Sequence, residues 1–176
     1  GVWTKGEIGK SEVALLKPQT FMNLSGDSVQ PAQTFLKVDP ASVIVIHDEL
    51  DVPFGEVRVK MGGGHGGHNG LRSIIERFGH SDFARVRVGI GRPPPTWRGD
   101  VADFVLQKFE GVEAAEVPNL IRKARSAVEA IVQNGVQAAM TTVNQKAPQR
   151  NSPKKPKVTA EGEGELGETA EKKSEG

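Results

Sequence analysis

Cysteine is absent from this chain of 176 residues. That excludes a disulfide framework and thiolate metal sites, and it fits a reducing cytosol. An excess of one charge is also missing, since 23 Lys and Arg face 22 Asp and Glu and leave +1. No global field draws the chain to nucleic acid or membrane, so any basic surface has to be local. No apolar run approaches the length of a membrane span, and no signal-peptide pattern is visible. A cytoplasmic location is the expectation. The length suits one domain with a real core. The chain opens on Gly1 rather than Met and enters a strand-like segment almost at once, so an upstream portion is expected.

What the sequence has in concentration is glycine. The stretch Gly62 to Gly70 reads GGGHGGHNG, six glycines in nine residues. Each costs more backbone entropy on folding than any other residue, so the stretch weakens the fold unless the chain must turn sharply or approach something closely. Between the glycines stand His65, His68 and Asn69, all able to hydrogen-bond. Leu71, Ile74, Ile75 and Phe78 follow at helical spacing. A glycine loop thus feeds a helix N-terminus, where free N–H groups and the dipole favour an anionic or carbonyl-bearing ligand. A tight structural turn is the plain alternative. It is not a P-loop, because the lysine and hydroxyl expected at the helix start are missing.

Around this loop the pattern alternates. Val13 to Leu16 (VALL) reads as a short buried strand that Pro18 ends. A helix toward Lys37 begins either at Ser25 as N-cap, with a kink at Pro31, or nearer Ser28. Val43 to Ile46 (VIVI) has the composition of a strand buried on both faces of a parallel sheet. His47 and Asp48 stand at its carboxyl end. EVRVK (Glu56 to Lys60) and RVRVGI (Arg85 to Ile90) alternate as strands with one wet face. Val101 to Phe109 suits a helix, Pro118 suits the first position of the longest helix, and Asn134-Gly135 signals its end. Val136 to Asn144 reads as a last short helix. These elements predict one α/β domain over residues 1–146, with a mostly parallel mixed sheet flanked by helices. Such sheets bind ligands at the carboxyl ends of their strands. From residue 147 onward a basic, proline-bearing run and an acidic, glycine-rich run offer almost nothing to bury, and a disordered tail is expected.

Three ordered segments go further: KPQTFMNLSG (Lys17 to Gly26), HDELDVPFG (His47 to Gly55) and GGGHGGHNGLRSI (Gly62 to Ile74). Together they resemble bacterial peptidyl-tRNA hydrolase, and RVRVGIGRP and FVLQKF resemble that family's later segments. The resemblance covers Val13 to about Asn144. It implies hydrolysis, without metal or other cofactor, of the ester joining a peptide to the 3′-terminal ribose of tRNA. It implies peptidyl-tRNA as the partner, no membrane and a monomeric enzyme. Asp48 matches the aspartate that orients the family's catalytic histidine. Asn23 and Asn69 match active-site asparagines that hold substrate, with Phe21 and His68 as further substrate-binding residues. Lys60 and Arg87 resemble a clamp for the tRNA terminal phosphate.

The chain also departs from that pattern. The family's GNPG turn and the RHN motif that carries its general base do not occur, and His47, His65, His68 and His80 sit in other contexts. The numbering is therefore expected to begin downstream of both motifs, and the 176 residues alone to be impaired in catalysis. Read on their own chemistry, Asp48, Asn23 and Asn69 fit turn and cap roles as well as catalytic ones. Lys60 and Arg87 fit an ordinary wet sheet face. His47, Asp48, His65 and His68 could suggest zinc, although a glycine loop is a poor rigid scaffold for it. Two alternatives stand beside the hydrolase: an RNA-binding protein on the same fold, as in relatives recruited to intron splicing in chloroplasts, and a metal-dependent hydrolase of another substrate.

Overall fold

The computed structural model describes residues 1–145. The tail expected from residue 147 onward lies outside the described residues.

The chain opens with an antiparallel hairpin, β1 (Val2–Ile8) and β2 (Ser11–Lys17), closed by a two-residue turn whose Gly9 has a φ of +63°. The VALL run is therefore a strand, but not a buried one: Leu15 is exposed, and β2 pairs with β1 alone. Trp3 meets Phe35 edge-on with ring centroids 6.2 Å apart, and this contact joins the hairpin to the next helix.

That helix, α1 (Ser25–Phe35), follows a 3-10 turn at Met22–Leu24. Ser25 is not its N-cap; Leu24 is, and the Ser25 hydroxyl instead donates back to the Met22 carbonyl at 2.8 Å. Pro31 lies inside the helix. It removes the bond to the Asp27 carbonyl, and Asp27 is exposed, so water can satisfy that oxygen.

Asp39 caps a 3-10 turn at Pro40–Ser42 by accepting from Ala41 N–H at 2.8 Å. Strand β3 (Ile44–Glu49) follows, then β4 (Val57–Met61), α2 (Asn69–Phe78) and β5 (Ala84–Gly89). The sheet order is β3-β5-β4, with β3 parallel to β5 and β4 antiparallel to it. The single α/β domain has its mixed sheet flanked by helices, but the parallel share is one pair, smaller than the sequence suggests. The VIVI strand is an edge strand with Ile46 54% exposed, so its β-branched run does not mean burial on both faces.

Helix α3 spans only Val101–Val105. The expected continuation to Phe109 fails because Leu106 and Phe109 remain exposed and gain nothing by helical order. The long helix α4 (Gly111–Asn134) begins seven residues before Pro118 instead of at it. The turn preceding the proline is solvent-exposed, which leaves the Ala114 carbonyl open to water. Gly135, with a φ of +81°, ends α4, and α5 (Val136–Gln145) completes the described chain.

Two cores form, one on each face of the sheet. Val57, Val59, Ala84 and Val86 pack under Leu120, Ala124, Ala127 and Ile131 of α4 and Ala139 of α5. On the opposite face Phe83 packs with Leu71 and Ile74 of α2, joined by Val29, Val43 and Val45. The outer edge of β4 is closed by a side chain: Asn144 accepts from Val59 N–H at 2.9 Å and donates to Val59 C=O at 3.0 Å.

Candidate active site

The carboxyl end of β3 meets the start of α2. His68 is the N-cap of α2: its Nδ1 accepts from Leu71 N–H at 3.2 Å, and its Nε2 lies 3.2 Å from Asp48 Oδ1. These two bonds fix the tautomer. A nitrogen that accepts from an amide carries no proton, so the proton is on Nε2 and is donated to the carboxylate. Both ring nitrogens are occupied. The bond from His68 holds the Asp48 carboxyl below the usual carboxylate range, against the opposing pull of burial.

His47 packs behind this pair, its ring edge-on to His68 with centroids 5.1 Å apart. Its Nδ1 donates to the Asp48 carbonyl at 2.7 Å, so Nε2 holds a lone pair. That nitrogen has no hydrogen-bond partner among the described residues, and the residue is only 8% exposed. Burial pushes the His47 pKa down, and the neighbouring His68 pushes the same way.

Two close approaches bring the asparagines to this end of the sheet. The Gly26 N–H donates to Ser73 Oγ at 3.0 Å, which seats α1 on α2. A Cβ on Gly70 would stand 2.6 Å from Met22 Sδ, so the missing side chain lets the 3-10 turn lie on the first turn of α2. Asn23 is in that turn and Asn69 opens that helix, and both are exposed. Phe21 precedes the turn with its ring largely in solvent.

The basic residues lie on neighbouring strands. Arg87 donates to Glu49 Oε2 at 2.9 Å, and Arg58 donates to Glu56 Oε2 at 2.9 Å. Lys60, Arg58 and Arg87 line one open pocket with Asp51 and Asn144. Among the described residues Lys60 has no carboxylate partner. Of the remaining histidines, His65 Nδ1 accepts from Gly67 N–H and His80 Nδ1 from Asp82 N–H, both at 3.1 Å. No three His, Cys, Asp or Glu side chains among the described residues converge as a metal cage requires.

The family model for peptidyl-tRNA hydrolase matches residues 1–152. The chain belongs to the peptidyl-tRNA hydrolase family. The peptidyl-tRNA hydrolase of Sorangium cellulosum is 50% identical over 165 residues, which are 94% of this chain and 71% of that protein. The Frankia alni peptidyl-tRNA hydrolase is 54% identical over 130 residues, 74% of this chain and 65% of the relative. Among solved structures, peptidyl-tRNA hydrolase from Acinetobacter baumannii superposes with a TM-score of 0.72 at 42% identity, covering 81% of this chain and 71% of that one. Within the peptidyl-tRNA hydrolase frame, sequence reasoning missed two residues. The sequence offers His47 only as one of the imidazoles that could suggest zinc, and Arg85 only as part of an alternating strand. Their burial comes from tertiary packing, and no local pattern signals it.

Proposed function

We propose that this site hydrolyses the ester of peptidyl-tRNA, with Asp48 as the orienting carboxylate and Asn23 and Asn69 as substrate-holding amides. The observation that carries this reading is the Asp48 carboxylate, held at the strand end by His68 through its Oδ1 oxygen. Ester hydrolysis needs a base that activates water, a group that orients the base, and donors for the developing oxyanion. The Asp48 carboxylate can accept from a further histidine N–H and stabilise the imidazolium that forms. Asn23 and Asn69 each offer an amide donor and acceptor on abutting elements, enough to align a peptide carbonyl and polarise it. Phe21 offers an apolar face beside them. Lys60 and Arg87 would take a tRNA phosphate at the open pocket.

His68 is a poor candidate for the base. Its lone pair is held by Leu71 N–H and its proton by Asp48, so it positions the carboxylate. His47 keeps a free lone pair, but that nitrogen is buried away from water. We assign the base to the histidine of the RHN motif that the family pattern carries. A chain bearing that segment is where activity is to be measured, and the 176 residues alone are expected to be weak. We further propose a monomer acting in the cytoplasm without metal.

The test is release of free tRNA from an N-blocked aminoacyl-tRNA in the presence of a chelator. Turnover undiminished by chelator supports the reading. Turnover that vanishes and returns with zinc overturns it in favour of a metal-dependent hydrolase. Tight tRNA binding with no turnover would favour an RNA-binding role.

A further inference from the structure

Arg85 is 3% exposed, yet it has no carboxylate at ion-pair distance among the described residues. Its guanidinium lies over the Phe83 ring, 4.9 Å from the centroid. One terminal nitrogen donates to the Gly64 carbonyl at 2.7 Å and the other donates to the Gly63 carbonyl. The remaining nitrogen, Nε, is buried without a partner among the described residues. A buried cation is costly when its direct hydrogen bonds go to neutral carbonyls and the nearest carboxylate, Glu49, acts on it only from beyond ion-pair distance, with Arg87 opposing. An anion nearby would offset it.

The same two bonds fix the loop. In a trans peptide the C=O of one residue and the N–H of the next point in opposite directions. Two carbonyls aimed at one guanidinium therefore turn the N–H groups of Gly64 and His65 away from it, toward the outer side of the loop. Neither N–H has an acceptor among the described residues. Gly64 is exposed, and nothing lies within 4 Å of where its Cβ would be. The Lys60 ammonium lies against Gly63, 2.8 Å from where that Cβ would stand.

We infer that the Gly64 and His65 amides, held outward by buried Arg85 and flanked by Lys60, form a site for a phosphate of the tRNA substrate. Arg85 is a positioning residue here, because it acts through the loop and does not touch the ligand. Adjacent amides with a lysine beside them suit a phosphate's several acceptor oxygens. The naming of tRNA as the phosphate donor rests on the hydrolase reading; the anion site itself does not.

The experiment uses the full chain labelled with nitrogen-15. Inorganic phosphate is titrated while amide shifts are followed, and uncharged tRNA is then added. Saturable shifts at Gly64 and His65, with phosphate displaced by tRNA, are expected. R85M should weaken phosphate about tenfold or more and remove the shifts at those two amides, with R85K intermediate. Still amides in the wild type, or unchanged shifts in a folded R85M, overturn the site. Should R85M fail to fold, slower hydrogen exchange of the two wild-type amides on adding phosphate supports the site, and unchanged exchange overturns it. Phosphate and tRNA bound together without competition would overturn the substrate assignment. Ester hydrolysis is assayed separately, in a chain that carries the family's catalytic histidine. An active enzyme with silent amides defeats this inference alone, and an inactive one with responsive amides defeats the proposed function alone.

Discussion

The Asp48 carboxylate and the His68 imidazole form a pair in which the histidine has no valence left to give. Its Nε2 proton goes to Asp48 at 3.2 Å and its Nδ1 lone pair to the Leu71 amide at 3.2 Å. In this pair His68 caps the helix and holds the carboxylate through Oδ1.

In a chain that carries the family's catalytic histidine, D48N should lower kcat about 10³- to 10⁴-fold, the scale found when an orienting carboxylate is neutralised. KM should move little, because Asp48 holds the base rather than the tRNA. H68A should cost about 1 kcal/mol of stability through the lost cap and reduce kcat less than D48N does. Steady-state release of tRNA and chemical denaturation together check this. A larger kcat loss in H68A than in D48N would mean that His68 is the base.

His47 should make stability fall on mild acidification. Burial holds its pKa below the ordinary 6.5, so between the folded pKa and 6.5 the unfolded chain binds more protons. Stability is then full above that window and falls as pH drops through it. H47Q should flatten this part of the profile. The Asp48 carboxylate acts lower: its pKa is depressed from 3.8, so its stabilisation is present above 3.8 and is lost as pH falls toward the folded value. Denaturant midpoints measured from pH 8 to pH 3 test both. An H47Q profile parallel to the wild type between pH 7 and pH 5 would contradict the first.

Lys60 and Arg87 should differ as phosphate ligands, because Arg87 is already paired with Glu49 and Lys60 is unpaired among the described residues. K60A should lower the slope of log affinity against log salt by about one phosphate contact. R87A should lower it less, since Glu49 competes for that guanidinium. Fluorescence binding of tRNA at several salt concentrations decides the matter, and equal slopes for both variants would sink the distinction.

Two glycine substitutions should separate. A Cβ on Gly26 would clash with the Ser73 backbone carbonyl, which cannot move without moving α2. G26A should therefore cost about 1–3 kcal/mol, the range for overpacking, and lower kcat by shifting Asn23 from Asn69. On Gly70 the nearest atom is the mobile end of Met22, 2.6 Å away, so G70A should be milder. Thermal denaturation with turnover assays would show the order, and a reversed order would mean that helix packing does not set the asparagines.

Much of this was legible in the chain because it is local. The glycine loop, the helix through Leu71 to Phe78 and the Gly135 stop follow from backbone freedom and spacing, and the structure has them in place, with the helix beginning two residues earlier at Asn69. Asp48 was marked by its position after VIVI. What the sequence could not carry was partnership. VALL and VIVI have the same composition as doubly buried strands, but burial depends on which strand lies alongside, and among the described residues β2 pairs only with β1 and β3 only with β5. Pro31 and Pro118 sit inside helices because exposed carbonyls one turn back can turn to water, a fact about the surface and not about proline.

The sheet has one closed border and one open one. Asn144 occupies the outer side of β4 at Val59, while no backbone group among the described residues pairs with the outer side of β3. Growth of the ladder is therefore directional. A segment that paired with the outer side of β3 would run beside Ile46 and His47, with its main chain within a residue or two of Asp48. The strand edge and the Asp48 carboxylate therefore share one border, and whatever covers the edge also shapes the surroundings of the carboxylate.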